Sequence, residues 1–394
     1  MFLNLSNEPY LKMTEKGNSE YQVTPWSVEG EVDYDRLAEQ FGTKYIDKEI
    51  KEYLIKFTGE VNFFVRRGFF FSHRDLDWIF KKYGEGEKFY LYTGRGPSGK
   101  VHLGHLLPWY FTKYLQDKFD AQLLFQVTDD EKFMYRDELS LKDVRNSTMD
   151  NMLDIIAVGF NPKKTQILVD TLWIQELYSI SIRVAKMINF STVRAVFGFT
   201  ESTNIGMIFF PSIQAAPSVL YSDKLKKPVP CLIPAAIDQD NYWRMMRDIA
   251  EKLGYYKPAQ VHSKFLPSLS KGGKMSSSSP ESAIYTTDKP KDIEKKIKNA
   301  FTGGQPTVEE QKKKGANPYI CPIFWYDNYF FETNDVKLEE IRQDCISGKL
   351  LCGEHKMCLI SKVKNFLADF QAKREKAKDV VNDFLYDPKR EVVL

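Results

Sequence analysis

The sequence predicts an α/β protein, with a parallel-sheet domain wound by helices followed by a mainly helical C-terminal domain. Two observations carry this. From Lys88 onward short apolar runs alternate with amphipathic stretches, the pattern of successive βαβ units, and a glycine-rich turn separates the first run from the first helix. Beyond Lys289 the short runs stop and helical character continues to Leu394. A chain of 394 residues exceeds one ordinary core and suits two or three packed domains. Its 43% hydrophobic and 28% charged residues allow a large core and exclude a mainly disordered chain.

In chain order, residues 1–22 are polar and mixed and read as a mobile tail, with order beginning near Val23-Thr24-Pro25-Trp26. Residues 23–87 form an N-terminal segment in which Asp33 to Phe41 reads as a short helix. The sheet domain is expected over 88–288. Phe89-Tyr90-Leu91-Tyr92 reads as a buried strand, and Gly94 to Gly99 as the turn. Leu107, Tyr110, Phe111, Tyr114 and Leu115 then fall at helical spacing, and Leu123 to Val127 closes the unit as the next strand. Ser140 with Asp143 resembles a capping box, opening a helix whose apolar stripe of Val144, Met152, Ile155 and Ile156 stops at Gly159. Ile167-Leu168-Val169 and Cys231-Leu232-Ile233 read as further strands, the latter running into Ala236-Ile237-Asp238-Gln239-Asp240. Arg244 to Leu253 reads as a helix, Ser268 to Ser279 as a loop of serines, glycines and lysines, and 289–394 as a helical second domain.

Charge and cysteine usage bound the partners. Lys and Arg total 56 against 53 Asp and Glu, so the net +3 neither demands nor forbids a polyanion, and any nucleic-acid contact must be local. The five cysteines, at 231, 321, 345, 352 and 358, form no Cys-x-x-Cys pair, which leaves reduced thiols in the cytoplasm as the expectation and no metal site. No uninterrupted apolar run reads as a membrane span, and the first residues lack an apolar stretch behind a basic one, so neither membrane nor export is expected.

Two motifs point to chemistry. His102-Leu103-Gly104-His105 follows a strand and a glycine-rich turn and opens a helix, where free backbone N–H groups favour phosphate. Histidines at i and i+3 share a helix face and can donate to phosphoryl oxygens, while Gly104 leaves room for a flat base. A pair of surface histidines is the bland alternative, but His-x-Gly-His would arise by chance only roughly 0.004 times in a chain of this composition. The second motif, Lys271-Gly272-Gly273-Lys274-Met275-Ser276-Ser277-Ser278-Ser279, has by itself the composition of a solvated linker. Its functional reading is a mobile loop that brings the Lys274 ammonium and serine hydroxyls onto a triphosphate.

In this order, the pair resembles the His-Ile-Gly-His and Lys-Met-Ser-Lys-Ser signatures of class I aminoacyl-tRNA synthetases, with Ser277 where the second lysine of the longer pattern stands. Four stretches narrow the resemblance: Thr93 to Ser98, Gln126 to Lys132, Phe210 to Pro217 and Ala236 to Asp240 are similar to the tryptophanyl-tRNA synthetase family of the eukaryotic cytosolic type. The resemblance implies a Rossmann-like catalytic domain, a helical anticodon-binding domain, a homodimer, and the substrates L-tryptophan, ATP with Mg2+, and tRNA(Trp). It implies that Tyr92 and Gln126 receive the indole N–H and that Glu131, Gln214 and Gln239 hold the α-ammonium. Arg95, His102, His105 and Lys274 would stabilise phosphate charge. Gly96, Gly104, Asp238, Gln239, Met275, Ser276 and Ser278 would complete the ATP site, with Val23 to Asp33 as a lid over it. Indole has one donor and no acceptor, so an acceptor oxygen such as that of Gln126 suits it. Each of these residues also has a plain structural reading: Gln126 as a solvent-facing strand end, Tyr92 as core, Glu131 as surface. The nearest rivals are a tyrosyl enzyme of the same fold, a small-molecule nucleotidyltransferase and a non-catalytic RNA-binding relative.

Overall fold

The structure, a computed structural model, describes residues 22–23, 28–29, 33–276 and 279–392. Among these the strands are β1 (Gln22–Val23), β2 (Val28–Glu29), β3 (Lys44–Tyr45), β4 (Phe70–Arg74), β5 (Tyr90–Arg95), β6 (Leu123–Val127), β7 (Thr165–Val169), β8 (Cys231–Ala236) and β9 (Ala259–Ser263). β1 and β2 pair antiparallel, and the other seven form one sheet in the order β3-β4-β9-β8-β5-β6-β7. The run β9-β8-β5-β6-β7 is parallel, while β4 and β3 join its edge antiparallel. The chain therefore winds outward from β5 to β7, then returns to lay β8 on the other side of β5. That reversal opens a crevice at the carboxyl ends of β5 and β8, where open α/β sheets take their ligands.

Side-chain alternation gives the sheet two buried faces. Leu91, Leu123, Phe125, Ile167 and Val169 point into one core with Leu103, Leu106, Leu107 and Phe111 of the Leu103–Phe119 helix. Tyr90, Tyr92, Leu124 and Leu168 point into another, beneath helices Asp170–Met187 and Ile205–Ala215. The Ser140 capping box forms, its hydroxyl accepting from the Asp143 N–H at 3.2 Å and the Asp143 carboxylate from the Ser140 N–H at 3.0 Å.

Several expectations are corrected. β3, β4 and β9 were not read from the sequence, and the first two lie before residue 88, so the sheet draws on both sides of that boundary. β9, Ala-Gln-Val-His-Ser, is wholly buried although three of its five residues are polar, which hides it from a search for apolar runs. β5 extends through Gly94 and Arg95, expected in the turn, and the helix expected from Arg244 starts at Asp240. Residues 289–392 are helical but share the first core: Val363, Leu367 and Phe370 of the Cys352–Ala377 helix pack there, and Arg374 pairs with Asp150 and Asp154 of the Leu141–Ala157 helix. The segment Ile205–Leu225 is long and apolar enough to cross a membrane, contrary to the sequence reading, but 78% of its most apolar window is buried inside the protein. All five cysteines are free. The expected tail, most of the lid and Ser277 and Ser278 lie outside the described residues.

One buried ion pair ties the antiparallel edge to the crevice. Arg74, at the end of β4, reaches Asp240 through Nε at 2.6 Å and Nη2 at 2.8 Å, and His262 of β9 lies 3.3 Å away. Burial works to raise the Asp240 carboxyl, yet Arg74 and His262 outweigh it and hold the group well below the usual carboxylate range. The stability it contributes is complete above about pH 4 and is lost as the pH falls from there toward the folded value. Asp240→Ala leaves Arg74 without its partner, and urea unfolding at pH 7 should show a loss of about 3–5 kcal/mol. A loss below ~1 kcal/mol would show that the pair does not hold the edge in place.

Candidate active site

The crevice gathers residues from the ends of β5, β6 and β8 and from the 266–275 hairpin. Arg95, the last residue of β5, is half-buried; its Nε donates to Asn151 at 3.1 Å, and Nη1 lies 2.9 Å from His105 Nε2. His102 caps the Leu103–Phe119 helix, and its backbone N–H donates to His105 Nδ1 at 3.2 Å. The two imidazoles stack with centroids 3.6 Å apart.

Burial first, then the Arg95 charge, holds both histidines well below the ordinary value, so both are neutral at pH 7. Because His105 Nδ1 accepts from a backbone N–H, its single proton is assigned to Nε2, which faces the Arg95 donor. Two N–H groups thus meet where an anionic acceptor would satisfy both. His102 Nδ1, Arg95 Nη2 and Asp238 Oδ1 are buried polar atoms with no hydrogen-bond partner. Such atoms are costly in a protein interior; the nitrogens of Arg95 and His102 fit a polyanionic substrate, and Asp238 Oδ1, an acceptor, fits a hydroxyl donor. Burial pulls Arg95 down to about 10, with Asp154 and Glu131 opposing, so it stays cationic at neutral pH.

The serine-rich loop is not a solvated linker. The Ser268 N–H donates to the Gly273 carbonyl at 3.1 Å and the Met275 N–H to Leu266 at 2.9 Å, which folds 266–275 into a hairpin. Gly272 and Gly273, both at φ 75°, make its turn, a backbone region that other residues rarely adopt. Lys274 Nζ lies 3.4 Å from Asp238 Oδ2. Burial raises the Asp238 carboxyl, and Lys274 counters that effect. Ser276 is half-buried beside the hairpin. Met275 departs from the expected nucleotide contact, because its side chain lies in the core and anchors the loop. Gly104 also departs: a Cβ there would fall 3.0 Å from the His102 ring, so the space expected for a base holds that imidazole.

The second cluster lies on the Tyr92 face of the sheet. In the β5–β6 register Tyr92 pairs with Leu124 and Gly94 with Gln126, so Tyr92 and Gln126 share a face two residues apart. Gln214 Nε2 donates to the Tyr92 hydroxyl at 3.0 Å, that hydroxyl donates to Gln126 Oε1 at 2.5 Å, and Gln126 Nε2 reaches both oxygens of Asp170 at 2.9 and 2.8 Å. Asp130 hydrogen-bonds Asp170 in turn. Burial raises both carboxyls, helped at Asp170 by the Asp130 charge; at Asp130 the Asp170 hydrogen bond opposes the rise, Asp129 and Glu131 add to it, and the group reaches about 7, so the pair holds one proton between its members. Glu131, on the neighbouring turn, accepts from Lys132 Nζ at 2.8 Å and Thr128 Oγ1 at 3.1 Å. Gly96 permits this: a Cβ there would meet Lys132 Cε at 2.2 Å and Glu131 Oε2 at 2.8 Å. Gln214 thus joins Tyr92 and Gln126, not Glu131, while the half-buried Gln239 hydrogen-bonds Asp238.

Sequence reasoning missed Asp170, Asp130, Lys132 and Asn151. Asp170 carried a signal as an acid directly after an apolar strand, and so did Asn151 as a polar residue on an apolar helix stripe.

Comparison with known proteins gives consistent matches. The family described as tRNA synthetases class I (W and Y) matches residues 85–368. A tryptophan–tRNA ligase from Pyrobaculum aerophilum is 50% identical over 365 residues, covering 93% of this chain and 97% of the relative. One from Saccharolobus solfataricus is 52% identical over 372 residues, covering 94% and 96%. The crystal structure of Plasmodium falciparum tryptophanyl-tRNA synthetase superposes with a TM-score of 0.85 at 39% identity, covering 91% of this chain and 98% of that one. The archaeal relatives widen the eukaryotic cytosolic resemblance read from the sequence.

Without Lys274 the hairpin loses its contact with Asp238. Lys274→Met should speed proteolytic cleavage within residues 268–279 several-fold while shifting the melting temperature by no more than about 2 °C. An unchanged cleavage rate would show that the backbone bonds alone hold the loop.

Proposed function

The chain belongs to the class I tRNA synthetases of the W and Y family and acts as a tryptophan–tRNA ligase, and on that premise we propose how its residues divide the reaction. The tryptophan carboxylate attacks the α-phosphorus of ATP, pyrophosphate leaves, and the acyl group then passes to the terminal ribose of tRNA(Trp) with release of AMP. No protein nucleophile is required. Catalysis rests on positioning and on charge that meets the phosphates.

The observation that carries this assignment is the meeting of Arg95 and the two neutral histidines around buried, unpartnered polar atoms. Arg95 and Lys274 supply positive charge to the phosphates. Neutral His102 and His105 donate N–H bonds without adding repulsion between cations. Lys274 exchanges Asp238 for the departing pyrophosphate, an interaction worth most as charge gathers there. Asp238 and Gln239 face the nucleotide sugar and Ser276 the phosphates, while the expected role of Ser278 lies outside the described residues. Tyr92 and Gln126 read the indole N–H, and Glu131, with Gln239 nearby, holds the α-ammonium, sharing its carboxylate with Lys132. Gln214 orients Tyr92.

Mg2+ enters as the ATP complex. In that form the ion is held mainly by phosphate oxygens and water.

Residues 289–392 carry tRNA recognition in this reading. A homodimer is supported by apolar side chains exposed along one helix face, Tyr178 at 55% and Ile182 at 44%. Ile182→Arg should shift the sedimentation coefficient to that of a 45.8 kDa monomer; a dimer unaffected by the charge would place the interface elsewhere. The five free thiols support a cytoplasmic location.

ATP–pyrophosphate exchange with tryptophan, tyrosine and phenylalanine tested separately should respond to tryptophan alone. His102→Ala or Lys274→Ala should lower that exchange by about a hundredfold or more while equilibrium dialysis still detects bound tryptophan. Unchanged exchange in either variant would overturn its assignment.

A further inference from the structure

The Tyr92 hydroxyl lies 2.5 Å from Gln126 Oε1 and 3.0 Å from the Gln214 backbone carbonyl; with its one proton on the shorter contact, the side-chain hydrogen bonds on this face run in one direction. Gln214 Nε2 donates to Tyr92, Tyr92 donates to Gln126 Oε1, and Gln126 Nε2 donates to Asp170. Every member but the last is amphoteric: an amide can be turned end for end, and a hydroxyl can donate or accept. Asp170 is the exception. Its proton-sharing contact with Asp130 leaves its remaining lone pairs as acceptors, and it is fully buried at the first turn of the Asp170–Met187 helix. Only the amide nitrogen of Gln126 can face it. Were Gln126 reversed, its oxygen would lie against a carboxylate and its N–H would oppose the Tyr92 hydroxyl.

We propose that Asp170 is a positioning residue for amino-acid selection, fixing the Gln126 amide so that Oε1, an acceptor, faces the substrate ring and the pocket demands an N–H. This rests on the assignment of Gln126 to the indole end of the site. The β6–β7 register supports it: Gln126 pairs with Leu168, which places Asp170 two residues further on the same side, at the carboxyl end of the neighbouring strand. In this arrangement the influence of Asp170 passes through the Gln126 amide that it accepts from.

Asp170→Asn tests this with almost no change in shape. Asparagine offers both an oxygen and an N–H, so Gln126 can then lie either way. The probes are L-tryptophan and its benzothiophene isostere, in which sulfur replaces the ring N–H, compared by ATP–pyrophosphate exchange. The KM for tryptophan should rise roughly tenfold, the scale of one mispaired buried hydrogen bond, with kcat and the KM for ATP unchanged within about twofold. The KM for the isostere should hold or fall, so the preference for tryptophan collapses. Asp170→Ser is the second variant should Asp170→Asn not fold, and a thermal melt reports folding for both.

A folded variant that keeps the wild-type preference overturns the proposal, as does an equal loss for both amino acids, which marks a merely structural role. Gln126→Met separates the two levels of inference. If it abolishes the preference while the Asp170 variants do not, the pocket assignment stands and the role of Asp170 falls. If it leaves the preference intact, the pocket assignment falls with it.

Discussion

Everything at the site depends on where the sheet reverses its winding. Because the chain goes outward from β5 through β6 to β7 and only then returns to β8, the connections at the carboxyl ends of β5 and β8 leave in opposite directions. No helix crosses the gap between them. The residues just beyond those strand ends are Arg95 to Gly99 on one side and Ile237 to Gln239 on the other, and they face each other across it. The Leu103–Phe119 helix begins there, so its amino terminus, with His102 and His105, points into the same gap. The cleft follows from strand order alone, and the side chains give it chemistry.

That chemistry comes at the cost of burying charge. Arg95 is half-buried with one guanidinium nitrogen sealed from water, and the two imidazoles beside it are driven neutral by burial and by its charge. The counter-charges stay at one remove: Asp154 answers Arg374 of the C-terminal helix, and Glu131 answers Lys132. A native protein tolerates such partly satisfied groups where the missing partner is a ligand. The C-terminal helix therefore does more than add a domain, since its Arg374 helps decide how much negative charge is left for Arg95.

Much of the site was legible because its residues announce themselves. His102, Gly104 and His105 stand together where a strand gives way to a helix, and Lys274 sits in a run of glycine and serine that no core element would use. The strand Leu123–Val127 was readable to the residue, because a parallel strand buried on both faces is a short, mostly apolar run, here broken only by Gln126. Where burial is achieved by polar residues the signal fails. β9 hides Gln260, His262 and Ser263 inside a sheet, and the Ser72–His262–Asp240–Arg74 network that holds His262 draws on β4, β9 and the Asp240–Ala250 helix. No local pattern encodes such a network. The same holds for Asp170, whose meaning depends on Gln126 some forty residues earlier, and for Met275, which the motif marks as functional and packing assigns to the core.

The two halves of the site obey opposite physical demands. Telling an indole from a phenyl ring requires that an acceptor be present before the substrate arrives and be unable to turn away, because an adaptable amide would accommodate either ring. The Tyr92–Gln126–Asp170 chain meets that demand by being buried and anchored at a group that only accepts. It lies on strand and helix, away from any loop. Stabilising a departing pyrophosphate requires contacts that are poor in the resting state and good in the transition state. The facing N–H groups of Arg95 and His105 and the long Lys274–Asp238 pair on a glycine-turned hairpin are poor in that sense. A rigid reader beside a phosphate end whose polar groups await a partner lets selection precede chemistry without either setting the geometry of the other.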